Sequence, residues 1–167
     1  FKFKLLQMKN NKIRQFNFKL IHNILPFKDN LFKWKISSNM KCNFCNENES
    51  SMHILLYCPK VRTIWVKIKQ LIYVCSGKTV VIDEKLLLIG HEIGQNRYTF
   101  INLIINFVEY AIYKIYMMEH YKSQSFTTSF IAKEFKHELQ TYYTFLKKKN
   151  EYDLNGYRNL FVFRTSM

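Results

Sequence analysis

The chain has 167 residues, a length that suits one domain or two small lobes. Hydrophobic residues make up 48% and aromatic residues 17%, which is enough for a packed core and excludes a globally disordered chain. The formal net charge is +14: residues 1–69 hold fourteen Lys and Arg residues against three acidic ones, whereas residues 70–167 hold twelve against nine.

This concentration of positive charge in the N-terminal part predicts a polyanionic partner, RNA or DNA, on one face. Mutational bias is the alternative explanation. The chain is rich in Lys, Asn, Ile, Phe and Tyr, as A+T-rich genomes tend to encode, and Lys outnumbers Arg twenty-one to five. Both explanations remain open at this point.

The most apolar stretch, FINLIINFVEYAIYKIYMM, predicts a core helix and no membrane partner, because Asn102, Asn106, Glu109 and Lys114 interrupt it. The chain begins at Phe1 and has no signal peptide. These features predict a piece of a longer, intracellular polypeptide in the nucleus or the cytoplasm.

Two helices are predicted ahead of a cysteine-rich segment. The first is amphipathic and covers NKIRQFNFKLIHNIL, with Asn10 or Asn11 as its cap and Pro26 as its end. Asp29 is predicted to cap the second helix, NLFKWKIS. The predicted buried stripe of the first helix is Ile13, Phe16, Leu20 and Ile24.

Beyond the cysteine-rich segment, Pro59 predicts the first position of another helix, where its missing N–H is not needed. Cys75 lies on the apolar face of this helix and is predicted to be a small core residue. That face comprises Val61, Ile64, Trp65, Ile68, Leu71, Ile72 and Cys75.

Residues 76–97 contain three of the four glycines and predict a connector, with a short strand at TVVID and one or two helical turns ending at Gly90. Two longer helices follow, and the second is predicted to end in the lysine run at residues 147–149. Their predicted stripes are Ile101, Ile104, Ile105, Val108, Ile112, Ile115 and Met118, and then Ile131, Phe135, Leu139, Tyr142 and Leu146.

The predicted fold is therefore mainly α, with at most a short β element in the connector. A basic helical lobe is predicted over residues 1–75, followed by the connector at 76–97 and a helical C-terminal region at 98–167.

The segment KCNFCNENESSMHILLYCP predicts a zinc site. Cys42 and Cys45 form a Cys-x2-Cys pair, in which a tight turn lets both sulfur atoms face one ion. His53 and Cys58 supply a second pair after a short polar loop. Four protein ligands leave no open position, so the predicted site is structural, and the N-terminal lobe should depend on its metal.

Other chemistries explain the segment less well. Three clustered cysteines and one distant, buried cysteine do not form two disulfides, and a redox Cys-x-x-Cys would be expected just after a strand. Glu47 or Glu49 is a candidate acceptor for His53. No paired carboxylates, nucleophile elbow or phosphate-binding glycine loop is present, so no catalytic residue is predicted. The histidines without partner spacing are His22, His91, His120 and His137.

Three stretches, FKLIHNILPFKDNLFKWKI, KCNFCNENES and HILLYCPKVRTIWVKI, together resemble the zinc-binding region that follows the polymerase domain in non-LTR (LINE-like) retrotransposon reverse transcriptases. The shared features are a basic helix ending in LP, a following L..W, Cys-x2-Cys, His-x4-Cys-Pro, and a Trp seven residues after the last Cys. The resemblance covers about residues 10 to 75. Residues 102–149 resemble the helical tail of these proteins more loosely.

The resemblance implies that Cys42, Cys45, His53 and Cys58 bind zinc. It also implies that the region helps the polymerase engage its RNA or the target DNA during target-primed reverse transcription. The paired aspartates of the polymerase are absent from this chain, so an accessory, non-catalytic role is implied, with the polymerase portion of the same polypeptide as a partner.

The favoured interpretation is a nucleic-acid-binding module whose basic side chains contact phosphates. Phe44 either stacks on unpaired bases or anchors the metal loop. The competing interpretation is a structural or protein-interaction module in which zinc stabilises a small lobe; a degenerate copy of the element is a further alternative. The candidate phosphate contacts are Lys12, Arg14, Lys19, Lys33, Lys35 and Lys41.

Overall fold

The computed structural model describes residues 10–90, 96–122 and 128–148. In these ranges the chain is mainly α-helical, as predicted, and the described residues form no sheet. TVVID is not a strand; the isolated β-bridge in the described ranges joins Lys41 and Asn48, in the cysteine-rich segment. The elements are α1 Asn11–Ile21, α2 Lys28–Lys33, a π-helical turn His53–Tyr57, α3 Pro59–Ser76, α4 Glu84–Ile89, α5 Asn96–Lys122 and α6 Thr128–Lys148.

None of the helices in the described ranges combines the length and the apolar character that crossing a bilayer requires.

Helix α1 starts at its predicted cap and ends earlier than predicted. The Asn10 side chain accepts a hydrogen bond from the N–H of Lys12 at 2.9 Å. At the other end, Asn23 adopts a left-handed φ of 51°, and the N–H of Ile24 donates to the carbonyl of Lys19 at 2.9 Å. This Schellman-type end stops the helix before Pro26 can do so.

The early end changes which residue enters the core. Ile13, Phe16 and Leu20 are buried as predicted, but Ile24 is 44% exposed. Leu25 is buried in its place. The prediction for Ile24 was wrong because it extended the helical period past a residue that had already left the helix.

Helix α2 begins at Lys28, two residues earlier than it would with Asp29 as its cap. Phe27 is the capping residue and makes no side-chain cap hydrogen bond, while Asp29 lies in the first turn, where its charge suits the helix dipole. The helix ends as α1 does: Lys35 has a φ of 59°, and the N–H of Ile36 donates to the carbonyl of Leu31 at 2.8 Å.

The stripe predicted for α3 is confirmed from Val61 to Ile72, and Pro59 is its first residue. Cys75 is half-buried and packs against the core, and burial raises the pKa of its thiol. In the predicted connector, α4 is capped by Asp83, whose Oδ1 accepts from the N–H of Leu86 at 2.8 Å. This helix ends at Gly90, at a φ of 83°.

Helix α5 occupies the centre of the molecule. Its residues 101–109 are buried around the whole circumference, so neighbours cover it on every side. The predicted stripe is buried except for Met118, which is half-buried. In α6, Ile131, Phe135 and Leu139 are buried as predicted. The predicted burial of Tyr142 and Leu146 concerns side chains outside the described residues, and α6 is described as far as Lys148, within the predicted lysine run.

One hydrophobic core joins α1, α3, α4, α5 and α6. Phe16 packs edge-on against Tyr110 with ring centroids 5.7 Å apart, and Asn17 donates to Asn106 Oδ1 at 2.7 Å across the buried α1–α5 contact. The domain boundaries predicted at residues 75 and 98 remain a prediction. The core itself is shared by residues on both sides of them.

Candidate metal centre

The Cys-x2-Cys pair lies in a short, closed loop. The N–H of Cys42 donates to the carbonyl of Glu47 at 2.8 Å, and the N–H of Asn46 donates back to the carbonyl of Cys42 at 3.1 Å. Asn46 adopts a left-handed φ of 62°, which turns the chain sharply. The N–H of Phe44 points at Cys42 Sγ, 3.4 Å away, as a donor that favours negative charge on the sulfur.

The second pair is brought together by the π-helical turn. Residues five apart in an α-helix lie about 140° apart around the axis, because 3.6 residues complete a turn. The wider π-helical turn reduces that rotation, and the N–H of Cys58 donates to the carbonyl of His53 at 2.6 Å. Cys58 then leaves the helical conformation, with ψ at 130°, directly before Pro59 starts α3.

The four predicted side chains come together. The candidate ligand atoms of Cys42, Cys45, His53 and Cys58 all lie within 4.8 Å of one another, and Cys45 Sγ is 3.2 Å from His53 Nε2. A tetrahedral ion with Zn–S bonds of about 2.3 Å keeps sulfur ligands about 3.8 Å apart, so only small shifts are needed. Three sulfurs and one imidazole are a donor set that zinc prefers. The residues fit a zinc ion.

Burial and hydrogen bonding shift the pKa values of two of the cluster's thiols in opposite directions. Cys42 and Cys58 are both buried. The hydrogen bond with Cys58, aided by burial, raises the pKa of the Cys42 thiol well above its ordinary value. The same hydrogen bond lowers the pKa of Cys58. Because thiolates are the metal ligands, a thiol with a raised pKa must lose its proton before its sulfur can bind an ion.

Lys28 supports the metal loop from α2. Its side chain is almost fully buried, at 5% exposure, and its ammonium donates to the carbonyl of Lys41 and to Asn43 Oδ1, both at 2.5 Å. A buried ammonium is costly unless its donors are used, and here two loop oxygens use them. The sequence shows Lys28 as one more basic residue, so no signal distinguished it from the exposed lysines.

Glu49 holds the other end of the metal loop through hydrogen bonds. It is 1% exposed, and its Oε1 accepts from the N–H of Lys28 at 2.8 Å and from the Tyr116 hydroxyl on α5 at 2.5 Å. The carboxylate of Glu49 therefore accepts hydrogen bonds from α2 and from α5. The predicted role toward His53 does not appear among its contacts; the N–H of His53 donates to Ser50 Oγ at 3.0 Å. Local spacing in the sequence could not predict Tyr116 as a partner of Glu49, because the two residues are 67 positions apart.

The family model described as zinc-binding in reverse transcriptase matches residues 3–65. The resemblance drawn from the motifs is confirmed over that segment. Together with the cluster, the match supports a zinc-binding module of a reverse transcriptase, a family of zinc-binding rather than catalytic domains. Comparison with curated proteins and with solved structures gave no match.

Within the segment that matches the family, the Trp of the motif has a structural role. The carbonyl of Leu55 would receive the N–H four residues later in an α-helix, but that position is Pro59, which has none. The indole N–H of Trp65 donates to this carbonyl instead, at 2.8 Å, in a buried position. Trp65 therefore closes the backbone gap that the π-helical turn and the proline create.

The six candidate phosphate contacts are all exposed. They do not form a single row on α1: Lys12 and Lys19 are seven residues apart and lie about 20° from each other around the axis, whereas Arg14 lies about 200° from Lys12. Lys33 is 3.9 Å from Asp29. Lys35 and Lys41 lie beyond α2, next to the metal loop.

Phe44 packs as the anchor interpretation predicts. It is half-buried against the core, and Lys60 Nζ lies 4.0 Å from the centre of its ring. A cation over the ring face contributes a modest attraction. This face of the Phe44 ring is therefore covered by Lys60.

Proposed function

We propose that this chain is a non-catalytic accessory region of a non-LTR retrotransposon reverse transcriptase, in which a structural zinc ion holds basic elements that bind nucleic acid. The observation that carries the proposal is the convergence of Cys42, Cys45, His53 and Cys58 within the segment that matches the family. Bound zinc would supply a cross-link between the Cys-x2-Cys loop and the start of α3. Four protein ligands leave no position for a reacting water.

The proposed nucleic-acid contacts are electrostatic. Lys12, Arg14 and Lys19 on α1 are exposed, and none of them makes an ion pair within the described residues. Lys33, Lys35 and Lys41 extend the positive charge past α2 to the metal loop. Contacts of this kind bind phosphates without reading sequence, and they help the polymerase portion of the parent protein hold its RNA template or its DNA target.

The test is a fluorescence-anisotropy titration of the zinc-loaded chain with single-stranded RNA and with duplex DNA over a series of salt concentrations. We expect log K to fall against log salt by about 0.7 to 0.9 for each phosphate contacted. Lys12→Gln with Lys19→Gln should weaken binding on every sequence and reduce the slope by about 1 per lysine removed.

The matched control removes the same charge elsewhere: Lys69→Gln with Lys85→Gln, both exposed, on α3 and α4. Equal losses of affinity in the two double variants would mean that binding depends only on net charge. That result would contradict a specific binding surface. Chelation and Cys42→Ser should abolish salt-dependent binding if zinc organises that surface.

A second candidate function is a structural or protein-interaction module. It is favoured by the contact of the metal loop with α5 through Glu49 and Tyr116, which makes the loop part of the core. In that case metal removal unfolds the chain, while the zinc-loaded chain binds RNA and DNA weakly and the Lys12 and Lys19 variants change nothing.

A further inference from the structure

The segment FKWKI, residues 32–36, spans the end of α2, and all five of its residues are exposed. Phe32 and Trp34 are each 46% exposed, and Ile36 is 70% exposed. Leu31, directly before the segment, is the residue that enters the core. The tryptophan of the L..W motif therefore lies at the surface, where packing of the core does not require an aromatic ring.

The two tryptophans of the chain have different surroundings. Trp65 is buried, and its indole N–H donates to the carbonyl of Leu55 at 2.8 Å. Within the described ranges, the ring of Trp34 packs against no aromatic ring or cation, and its indole N–H has no hydrogen-bond partner. Phe32 also has no ring partner there. Both rings are therefore open to a molecule that binds from outside.

Lysines alternate with these rings. Residues two apart in an α-helix lie about 160° apart around the axis, so Lys33 separates Phe32 from Trp34 on the side of α2 opposite Leu31. The side chain of Lys33 is 60% exposed, and its ammonium is 3.9 Å from Asp29, in a pair that solvent weakens. Lys35 has no ion pair within the described residues. Two ammonium groups therefore accompany the two exposed rings.

This alternation of rings and ammonium groups favours nucleic acid over protein as the occupant. A protein covering the segment would bury both lysines, and lysine is depleted from protein interfaces. In a single-stranded nucleic acid, bases stack on aromatic side chains while the phosphates pair with lysines. Bases in a duplex stack on one another, so only unpaired bases can stack on Trp34 and Phe32.

We propose that residues 32–36 bind unpaired nucleotides. Bases stack on Trp34 and Phe32, and Lys33 and Lys35 hold the neighbouring phosphates. This inference rests on the proposed nucleic-acid function and narrows its substrate class to single strands. RNA and single-stranded DNA share the chemistry, so both belong in the test.

The first experiment compares strands that differ only in their bases, by fluorescence anisotropy with the full zinc-loaded chain. Labelled oligouridine and oligothymidine are titrated beside an abasic strand of the same length and charge, and beside a duplex. We expect the abasic strand to bind at least about fivefold more weakly at a similar salt slope, because each stacked base contributes about five- to 150-fold in affinity. The tighter of the two base-containing strands shows whether RNA or DNA is preferred.

Single substitutions locate the site. Trp34→Ala should weaken single-strand binding about tenfold, with an unchanged salt slope and with duplex affinity within about twofold. Trp34→Phe keeps an aromatic ring and should recover most of the loss. Tyr73→Ala is the matched control, since it removes a ring that is 56% exposed on α3, and it should stay within about twofold. Circular dichroism and zinc content verify that each variant folds.

The intrinsic fluorescence of Trp34 reports on stacking directly. A stacked base quenches indole emission, and Trp65, the other tryptophan, is buried. Saturating oligouridine should therefore quench the natural chain. It should leave Trp34→Phe unchanged, because only Trp65 emits in that variant.

Equal affinities of the abasic and base-containing strands would overturn the stacking proposal, as would a Trp34→Ala chain that binds like Tyr73→Ala. If Lys12→Gln with Lys19→Gln still lowers the salt slope in that case, the proposed function stands and only the stacking fails. Equal weakening of single-strand and duplex binding by Trp34→Ala would also contradict recognition of unpaired bases. If no oligonucleotide shows salt-dependent binding, both the proposed function and this inference are wrong.

Discussion

At the scale of single residues, the metal loop depends on side chains outside the cysteine motif. Lys28 and Glu49 are both almost fully buried, and between them they bond to the backbone of Lys41, the side chain of Asn43 and the hydroxyl of Tyr116. The four metal-binding candidates could be predicted from spacing because they are close in sequence. Their supports could not, because each bond joins residues that only the folded chain brings together.

Replacing Lys28 with Met should destabilise the zinc-loaded chain by about 1–3 kcal/mol, since the carbonyl of Lys41 and Asn43 Oδ1 would both lose their charged donor. Lys19→Met removes an exposed lysine and is the matched control, expected to stay within about 0.5 kcal/mol. Urea denaturation followed by circular dichroism measures both. Equal midpoints for the two variants would contradict a supporting role for Lys28.

Zinc binding should release protons at neutral pH. The raised pKa of Cys42 keeps its thiol protonated in the metal-free fold, so zinc competes with that proton, and affinity should rise with pH. One proton released corresponds to about a tenfold increase in affinity per pH unit. Competition with a chelating dye between pH 6 and pH 8 measures the slope. An affinity independent of pH would mean that Cys42 is not a ligand.

At the scale of elements, apolar stripes predicted where helices lie better than where they end. Asn23 and Lys35 each end a helix in the left-handed conformation, a local choice that the apolar period does not encode. The apolar period does not predict the π-helical turn either, because this turn is also a local change of backbone conformation. His-x4-Cys spacing identified the two ligands, but only the wider turn explains how residues five apart face one ion.

The hydrogen bond from Trp65 to the carbonyl of Leu55 gives this turn a measurable dependence on one side chain. Trp65→Phe keeps an aromatic ring in the core but removes the N–H, which leaves a buried carbonyl unsatisfied. We expect a loss of about 1–3 kcal/mol in unfolding free energy, together with weaker zinc binding. Trp34→Phe, at an exposed position, is the control. If the two variants have equal stability, the bond does not hold the turn.

At the scale of the whole molecule, α5 joins the two ends of the described chain. It contacts α1 through Asn106 and Tyr110, and it holds α6 through an ion pair from Lys114 to Glu134. The apolar composition of α5 predicted a core helix, but not which elements would surround it. That assignment depends on pairs such as Asn17 and Asn106, which are 89 residues apart.

The carboxylate of Glu49 has a consequence for how the molecule unfolds. One oxygen receives both the first N–H of α2 and the hydroxyl of Tyr116, and Phe27 lies beside the same tyrosine with ring centroids 5.1 Å apart. Losing the metal would therefore loosen a contact of α5 as well as the loop. Amide protons of α5 should exchange with solvent on the same timescale as those of the cysteine loop, as members of one cooperative unit that reaches beyond residue 65.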